Sequence, residues 1–493
     1  MIWRWIEGHA RHAPGAPALR FEGRRIAYAE LAREAGRAAA ALAARGIGHG
    51  DRVGFLGANH PSQLVLLAAC ARLGAVQVPL NWRLAPPELA FMLRDCAAAA
   101  LFATREMAAL AREAAPPGCA VLEAEAAWPE APAPAPRGGE ADPLLLVYTS
   151  GTTGRPKGAV LDQRALLFNA LNALHLFGLT AADRVLTVLP MFHVGGLNIQ
   201  TTPALLAGAE VVLHPRFEAG AFLAACAAER PTLSLLVPAV MAALVAHPGW
   251  AEADLSSLRA VGAGSSEVPL PLIEAFHARG VPVQQVYGAT ETGPIAIGQT
   301  REEALAAPGS IGRAALHGEA RLLGPDGAEP PPGAEGEIAL RGPHLARRYW
   351  GGPEALDAEG WFRSGDVGRM DAEGRFWFTD RLKHVIISGG ENIYPAEVER
   401  VLREAPGVAE CAVCGRPDPR WGEVPVAVIV PGPGFDAAAA LRHCEGRIAR
   451  FKHPRAVVTV EALPRTALGK VRLEALRALA AGARSGSRSG GPA

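Results

Sequence analysis

The chain has 493 residues, of which 49% are apolar and 20% charged, and its 49 acidic residues balance its 49 lysines and arginines. This length suffices for two or three domains with large buried cores. A net charge of zero provides no electrostatic basis for binding nucleic acid or an anionic membrane surface. No apolar run approaches the roughly 20 residues that span a bilayer, and the N-terminus lacks the apolar stretch of a signal peptide. We therefore expect a cytoplasmic protein without a transmembrane segment.

The first two thirds of the chain alternate between helix-like and strand-like segments. Apolar spacing predicts helices over Tyr28–Arg45 and Pro61–Leu73. Short apolar runs predict strands over Val53–Leu56, Ala75–Pro79, Arg184–Leu189, Val211–Leu213, Leu233–Val237, Leu258–Gly262 and Val283–Val286. This alternation predicts parallel sheets covered by helices. The Pro/Ala/Gly-rich segment Pro116–Asp142 interrupts the pattern and indicates a surface connection.

An unusual loop follows the buried strand predicted over Leu144–Tyr148. The sequence continues Thr-Ser-Gly-Thr-Thr-Gly-Arg-Pro-Lys-Gly up to Gly158. Glycines let backbone N–H groups converge, hydroxyls add donors and Lys157 adds charge, a combination that suits a polyphosphate. The common P-loop has Gly, Lys and then Ser or Thr at its end, whereas Pro156, Lys157 and Gly158 stand here. The alternative is a solvated Gly/Ser linker with an incidental lysine.

Two later turns also follow predicted parallel strands. His193 lies among apolar residues and glycines in Leu189–Leu197. It is either a core histidine or a residue at the mouth of an apolar pocket, near a substrate carboxylate. Tyr287, Thr290 and Glu291 follow the strand predicted over Val283–Val286, and open α/β sheets bind ligands at the carboxyl ends of their strands. These three side chains offer a stacking face, a hydroxyl for phosphate and an oxygen for Mg²⁺. The alternative is an ordinary polar turn.

From about residue 310 the sequence changes to Gly/Pro turns and short strands, which predicts an antiparallel, barrel-like stretch. A separate α+β domain is expected after it, with helices Pro395–Arg403 and Ala437–Ile448 and strands Val408–Val413, Val426–Val430 and Ala456–Val460. Asp366 is either a turn cap or a ribose ligand, and Lys470 alone would be an ordinary solvated lysine. We predict an N-terminal domain over 1–380, a C-terminal domain over 385–480 and a disordered tail over 481–493.

The seven cysteines do not indicate a disulfide framework in a chain of this size. Cys411 and Cys414 form a C-x-x-C pattern, but the strand predicted around them would point residues three apart to opposite faces. No second Cys/His pair completes a tetrahedral metal site. We interpret both as small apolar strand residues.

Together these segments resemble the adenylate-forming (AMP-binding) superfamily, in particular acyl-CoA synthetases of the fatty-acid–CoA ligase type. The similarity covers about residues 10–475, with the motifs in the order of that family. Besides the loop after Leu144–Tyr148, it rests on Tyr-Gly-Ala-Thr-Glu-Thr, Ser-Gly-Asp, Asp-Arg-Leu-Lys, Ile-Ser-Gly-Gly-Glu-Asn and Pro-Arg-Thr-Ala-Leu-Gly-Lys. Two departures are Asp380, where the family commonly has glycine, and Gly-Ala-Gly-Ser-Ser at 262–266.

The resemblance implies a role for each candidate residue. The β- and γ-phosphates of ATP would be held by Thr149, Ser150, Gly151, Thr152, Thr153 and Lys157. The nucleotide would be framed by Gly264, Ser265, Tyr287 and Gly288, with Asp366 and Arg381 on the ribose. Catalysis would involve Thr290 at the α-phosphate, Glu291 as the Mg²⁺ ligand, His193 near the substrate carboxylate, and Lys470 at the bond being formed. Gly389 and Gly390 would line a tunnel for the pantetheine arm of coenzyme A.

The resemblance also implies a two-step reaction. A carboxylic acid and ATP would give an acyl adenylate and pyrophosphate. The resemblance implies a hinge at 381–384 and a mobile C-terminal domain over 385–480, and CoA would displace AMP after this domain rotates about Lys383. The absence of a lysine or arginine near the expected acyl pocket favours a monocarboxylic acid, with a medium- or long-chain fatty acid first. The alternatives are an aryl or o-succinylbenzoate-type acid, or a stand-alone adenylation enzyme that loads a carrier protein. A homodimer is possible.

Overall fold

The computed structural model describes residues 1–150, 156–265, 268–324, 326–331, 333–381, 385–464 and 471–482, with the backbone alone for 150, 380 and 381. They form two compact units. The bounds of the large unit are Met1–Trp82, Leu93–Thr149 and Gly158–Leu382, and those of the small unit are Arg83–Met92, Ser150–Lys157 and Lys383–Ala493. Two segments from the N-terminal part of the sequence therefore belong to the same unit as the C-terminal residues.

The strands, in chain order, are β1 (Pro17–Phe21), β2 (Arg24–Ala27), β3 (Arg52–Leu56), β4 (Val76–Leu80), β5 (Ala100–Ala103), β6 (Ala120–Glu123), β7 (Pro143–Ser150), β8 (Pro156–Asp162), β9 (Arg184–Thr187), β10 (Glu210–Leu213), β11 (Leu233–Leu236), β12 (Ala260–Gly264), β13 (Val283–Tyr287), β14 (Ile297–Gly298), β15 (Arg313–Ala314), β16 (Glu319–Leu323), β17 (Glu335–Arg341), β18 (Arg348–Tyr349), β19 (Phe362–Met370), β20 (Phe376–Arg381), β21 (Ile386–Ser388), β22 (Glu391–Ile393), β23 (Val408–Asp418), β24 (Gly422–Pro431) and β25 (Ala456–Thr459).

The helices are α1 (Ile2–His12), α2 (Tyr28–Ala44), α3 (Pro61–Leu73), α4 (Pro86–Asp95), α5 (Ala108–Ala114), α6 (Gln163–Phe177), α7 (Val194–Asn198), α8 (Thr201–Ala207), α9 (Ala219–Ala228), α10 (Pro238–Val245), α11 (Leu270–His277), α12 (Arg301–Ala306), α13 (Pro395–Arg403), α14 (Ala437–His443) and α15 (Leu473–Ala481). Short 3-10 helices are Arg105–Met107, Thr290–Thr292 and Arg450–Lys452. None of the described helices combines the length and apolar character needed to cross a membrane.

Two large sheets build the large unit. The nine described strands of the first follow the order β15-β14-β13-β12-β11-β9-β10-β1-β2, and the seven of the second follow β18-β8-β7-β4-β3-β5-β6. From β13 to β1 the strands of the first sheet are parallel. In the second sheet β7, β4, β3, β5 and β6 are parallel. These parallel strands bear out the predicted alternation of strands and helices.

Both faces of the first sheet are buried, which explains why its strands are apolar without alternation. Val185 and Leu186 are successive residues of β9, and they belong to two different core clusters. The same division separates Val211 from Val212 in β10. Helix α3 is buried along almost its whole length, as expected for a helix packed inside a core rather than on a surface.

The antiparallel stretch after residue 310 forms a sheet of four described strands, in the order β16-β17-β19-β20. The small unit contains an α+β arrangement in which β24 pairs with β21, β23 and β25. These features confirm the predicted fold class, an α/β protein with mainly parallel sheets, a β subdomain and a small C-terminal α+β part. Helix α14 ends at His443, five residues before the predicted end, and Gly446 with a φ of 72° follows in a left-handed conformation.

The two cysteines of the C-x-x-C pattern lie on β23 and occupy different cores of the small unit. Cys411 packs in one hydrophobic cluster and Cys414 in another. Burial raises the pKa of each thiol to about 11, so both are protonated at neutral pH. Their opposite orientations agree with the interpretation of these residues as apolar strand residues.

Candidate functional site

Three candidate residues follow strands of the first sheet at its carboxyl edge. Strands β9, β11, β12 and β13 are parallel neighbours, so the segments after them leave the sheet on the same side. His193 follows β9, Ser265 follows β12 and Gly288 follows β13. This edge is where ligands bind in open α/β sheets.

The turn after β13 presents Thr290 and Glu291 on a single 3-10 turn. The Ala289 backbone N–H donates to the Thr292 hydroxyl over 2.8 Å, which fixes the start of the turn. Gly288 is required there, because an added Cβ would lie 1.8 Å from the Pro294 carbonyl oxygen. Both Thr290 and Glu291 remain half-buried, so the turn is rigid while its polar side chains stay accessible.

Tyr287 and Asp366 are brought together from residues far apart in sequence. The Tyr287 hydroxyl donates to Asp366 Oδ2 over 2.8 Å. The backbone of Asp366 is fixed in turn, because its N–H donates to the Ser364 hydroxyl over 3.1 Å. Asp366 also lies opposite Arg381 in the β19–β20 register. The residues that the resemblance assigns to adenine and ribose are therefore neighbours.

Glu291 has a tyrosine partner that the sequence did not reveal. The Tyr349 hydroxyl donates to Glu291 Oε1 over 2.9 Å, and the Ala346 N–H donates to the Glu291 backbone carbonyl over 2.7 Å. Tyr349 lies in a two-residue strand, β18, which carries no periodic pattern. No local sequence signal could have identified it.

His193 precedes the first residue of α7 and is half-buried, with its ring 4.5 Å from the ring of Phe192. The far end of this short helix is bonded to the Glu291 turn, because Asn198 Nδ2 donates to the Gly293 carbonyl over 3.1 Å. Gly196 is needed for the close bend, since a Cβ there would lie 2.2 Å from the Pro190 carbonyl oxygen. Asn198 was likewise absent from the sequence-based candidates.

The predicted phosphate loop is only partly described. Thr149 lies at the end of β7 and Lys157 near the start of β8. The side chain of Ser150 and the residues Gly151, Thr152 and Thr153 lie outside the described residues, as do Lys383, Lys470 and the side chain of Arg381. Gly158 is constrained, because a Cβ there would lie 2.5 Å from Leu146 Cδ1. This contact explains the glycine that follows Lys157.

In the small unit, Gly389 and Gly390 form the turn between β21 and β22. Their φ angles of 60° and 87° lie in the left-handed region that glycine tolerates. Trp421 packs against this turn, and an added Cβ at Gly389 would lie 2.7 Å from its ring. The neighbouring Glu391 pairs with Arg83 over 2.6 Å.

The described residues fit a magnesium ion held mainly by nucleotide. Among them there is no cluster of three or more His, Cys, Asp or Glu side chains that could hold a metal. Mg²⁺ at phosphate-transfer sites commonly needs only one or two carboxylates, with phosphates and water supplying the rest. The Glu291 carboxylate, fixed by Tyr349, matches that requirement.

Comparison with known families agrees with this geometry. Residues 6–350 match the family described as AMP-binding enzyme, and residues 397–470 match its C-terminal domain. The chain belongs to this family of adenylate-forming enzymes.

Individual relatives specify the class further. The chain is 50% identical to an indoleacetate–CoA ligase of Aromatoleum aromaticum, covering 97% of this chain and 98% of the relative. It is 44% identical to a feruloyl-CoA synthase of Amycolatopsis, covering 95% and 96%. The structure of a Bacillus subtilis o-succinylbenzoate CoA synthetase double mutant, bound with a product analogue, aligns with a TM-score of 0.88 at 31% identity, covering 96% and 98%. The protein is an AMP-forming acid–CoA ligase that uses ATP and CoA.

Proposed function

We propose that this ligase activates an aromatic monocarboxylic acid whose ring is joined to the carboxylate by a short chain. The observation that carries the proposal is the 50% identity, over 97% of the chain, to a ligase named for indoleacetate. The second relative is named for a ferulic acid derivative. These relatives favour the aryl alternative over the medium- or long-chain fatty acid that the sequence placed first.

The composition around His193 supports an uncharged acyl group. The described segments Leu189–Gln200, Ala260–Ser265 and Val283–Ala289 contain no lysine or arginine, which a second carboxylate would require. Gly195 borders open space, since an added Cβ there would meet no atom within 4 Å. An apolar ring system is compatible with such surroundings.

In the first step, an oxygen of the substrate carboxylate attacks the α-phosphorus of ATP, and the bond from that phosphorus to pyrophosphate breaks. Thr290 and Lys470 are proposed to bind the α-phosphate as charge builds up there. A Mg²⁺ ion bound at Glu291 would offset the charge of the phosphates. Asp366, already bonded to Tyr287, is proposed to accept the ribose hydroxyls and so fix the α-phosphate relative to the acid.

In the second step, the CoA thiol loses its proton, its sulfur attacks the acyl carbonyl carbon, and the bond to AMP breaks. The Gly389–Gly390 turn is proposed to lie beside the pantetheine arm. We propose that the residues from 385 onward rotate about the 381–384 segment between the two steps, which would withdraw Lys470 from the carbonyl.

The test is pyrophosphate release measured with indole-3-acetate, ferulate, decanoate and palmitate, each with and without CoA, and with the thioester identified by mass spectrometry. We expect kcat/KM for an aromatic acid to exceed that for either fatty acid by at least about tenfold, the discrimination that a shaped apolar pocket supplies. A tenfold preference for a fatty acid would reject the proposal. Release of pyrophosphate without any CoA thioester would instead support the carrier-loading alternative.

A further inference from the structure

The segment Ala346–Trp350, here called the bridging segment, lies against the strand that follows the predicted phosphate loop. Its strand β18 pairs antiparallel with β8, with Arg348 opposite Val160 and Tyr349 opposite Ala159. The Trp350 N–H also donates to the Gly158 carbonyl over 2.7 Å. The segment is therefore bonded to the backbone immediately after Lys157.

The same segment is bonded to the Glu291 turn, which follows a strand of the other sheet. The Ala346 N–H binds the backbone carbonyl of Glu291 over 2.7 Å, and the Tyr349 hydroxyl binds its carboxylate over 2.9 Å. Five consecutive residues thus connect the strand beside the phosphate loop to the proposed metal ligand. Their backbone bonds set the distance between the two, and the Tyr349 hydroxyl sets the orientation of the carboxylate.

We propose that Tyr349 is a positioning residue for the Mg²⁺–ATP complex, acting through Glu291. The proposal rests on the proposed function, specifically on Glu291 as the metal ligand. A hydroxyl that donates to Oε1 restricts rotation of the carboxylate and so favours one orientation of the proposed metal ligand. Partners that orient a metal ligand in this way commonly change metal affinity by about 10- to 100-fold when removed.

The variant that isolates this role is Tyr349→Phe. It removes one oxygen atom and keeps the ring, the β18–β8 pairing and the backbone bonds to Gly158 and Glu291. The matched control is Tyr28→Phe, which removes a buried hydroxyl that donates to the Ala209 carbonyl over 2.9 Å, outside the candidate site. Each variant removes a tyrosine hydroxyl that donates a hydrogen bond, so a general loss of stability would affect both.

The readout is binding of Mn²⁺, as a spectroscopic substitute for Mg²⁺, in the presence of an ATP analogue with a methylene group between the α and β phosphorus atoms. We expect Tyr349→Phe to raise the Kd of Mn²⁺ by about 10- to 100-fold and Tyr28→Phe to leave it unchanged. ATP–pyrophosphate exchange by Tyr349→Phe should recover as free Mg²⁺ is increased. Unchanged Mn²⁺ affinity in Tyr349→Phe would overturn the proposal.

The variant Glu291→Gln tests the metal-ligand role of Glu291 separately from the positioning role of Tyr349. If Glu291→Gln weakens Mn²⁺ binding and Tyr349→Phe does not, the positioning role is wrong and the metal assignment stands. If neither variant weakens binding, Glu291 is not the metal ligand and both assignments fail. The double variant should bind Mn²⁺ with the same affinity as Glu291→Gln alone. A hydroxyl that acts through a carboxylate has no effect on the metal once that carboxylate is removed.

Discussion

The Asp366 carboxylate accepts a hydrogen bond from Tyr287 and is also the proposed ligand of the ribose. One oxygen, Oδ2, accepts the tyrosine hydroxyl over 2.8 Å, and an ionised carboxylate can accept several hydrogen bonds at once. A fixed carboxylate is well suited to two adjacent ribose hydroxyls, because hydrogen bonds to a charged acceptor are stronger than neutral ones. The tyrosine hydroxyl therefore orients the carboxylate.

Asp366→Asn should keep an acceptor for Tyr287 while removing the negative charge. A hydrogen bond to a charged group contributes about 1.5–3 kcal/mol, so we expect kcat/KM for ATP to fall about 10- to 100-fold, mainly through a higher KM. Steady-state kinetics with ATP varied at saturating acid and CoA measure this effect. Tyr287→Phe, which keeps the charge, should raise the KM for ATP less. A wild-type KM for ATP in Asp366→Asn would show that the carboxylate does not bind the nucleotide.

Lys470→Ala should affect the two half-reactions differently. Removing a group that stabilises developing charge typically costs about 100- to 1000-fold in rate, so ATP–pyrophosphate exchange should fall by at least that factor. Thioester formation from supplied acyl adenylate and CoA should stay within a few fold of the unmodified enzyme, since the lysine is proposed to have left the carbonyl by then. Equal losses in both assays would contradict the assigned role of Lys470.

At the scale of single elements, the turn Gly288–Pro294 shows how little space the site leaves. Gly288 packs against the backbone of Pro294, and Gly264 at the end of β12 packs against Val286, where an added Cβ would lie 2.3 Å from the carbonyl oxygen. Both glycines allow neighbouring backbone segments to approach. The family resemblance implies that both glycines lie beside the nucleotide, and the structure shows in addition that both are needed for close backbone packing.

Gly288→Ala should displace the turn that carries Thr290 and Glu291. Overpacking of this kind costs about 1–3 kcal/mol, and we expect ATP–pyrophosphate exchange to fall more than tenfold together with a lower Tm. The control is Gly8→Ala in α1, where an added Cβ meets nothing within 4 Å and helix propensity should raise the Tm. Normal exchange in Gly288→Ala would show that the turn tolerates the shift without loss of geometry.

The parallel strands could be predicted from sequence because each is a short apolar run between turns. The predicted Leu233–Val237 and Val283–Val286 correspond to β11 and β13 within one residue at each end, and Pro395–Arg403 matches α13. The phosphate loop, Asp366 and Glu291 became candidates for a related reason, because their residue types are distinctive over a few positions. Local sequence therefore identifies an element when its own residues determine it.

Contacts between distant segments could not be predicted in this way. Tyr349 meets Glu291 across 58 positions, and the segment Arg83–Met92 joins the small unit although it precedes Lys383 by almost 300 residues. Neither feature produces a local sequence pattern. A tyrosine in a two-residue strand is common, and the residues of Arg83–Met92 are ordinary for a helix and the loop before it. These contacts depend on packing that only the folded chain defines.

At the scale of the whole molecule, the small unit contains a buried cluster of three charges. Lys452 is 4% exposed, and its ammonium lies 2.6 Å from Glu88 Oε1 and 2.8 Å from Glu397 Oε1. Glu88 and Lys452 are 364 positions apart, so the cluster connects the segment Arg83–Met92 of the small unit to its C-terminal segment. Among the described residues, Glu397 Oε2 has no hydrogen-bond partner. Two carboxylates thus share one ammonium.

The excess negative charge determines how this cluster responds to pH. Burial, with a further contribution from Glu397, raises the pKa of Glu88. Burial acts to lower the pKa of Lys452, but its attraction to the two carboxylates is stronger and the net pKa is raised. A carboxyl whose pKa is raised by folding binds its proton more tightly in the folded state than in the unfolded state. Its contribution to stability is therefore full below the ordinary pKa of the carboxyl and is lost as pH rises through the folded-state pKa. The small unit should therefore gain stability as pH falls from neutral toward 5.

Lys452→Met should destabilise the small unit strongly at neutral pH, because two buried carboxylates would lose their counter-ion. Breaking a buried ion pair from one side costs about 3–5 kcal/mol, and the loss should shrink as pH falls toward 5, because the raised pKa of Glu88 lets that carboxyl take up a proton. Native-state hydrogen exchange of peptides from Pro395–Arg403 between pH 5 and 8, corrected for the intrinsic exchange rate, measures this stability.

The matched variant for this cluster is Glu397→Gln, which balances the charges instead of removing the cation. Its amide oxygen can still accept from Lys452, and its NH₂ group takes the place of Oε2, the atom that lacks a partner in the described part of the chain. We therefore expect Glu397→Gln to be much less destabilising than Lys452→Met and to flatten the pH dependence. If Glu397→Gln lowers stability as much as Lys452→Met at every pH, the two carboxylates are not competing for one ammonium, and the shared-charge interpretation is wrong.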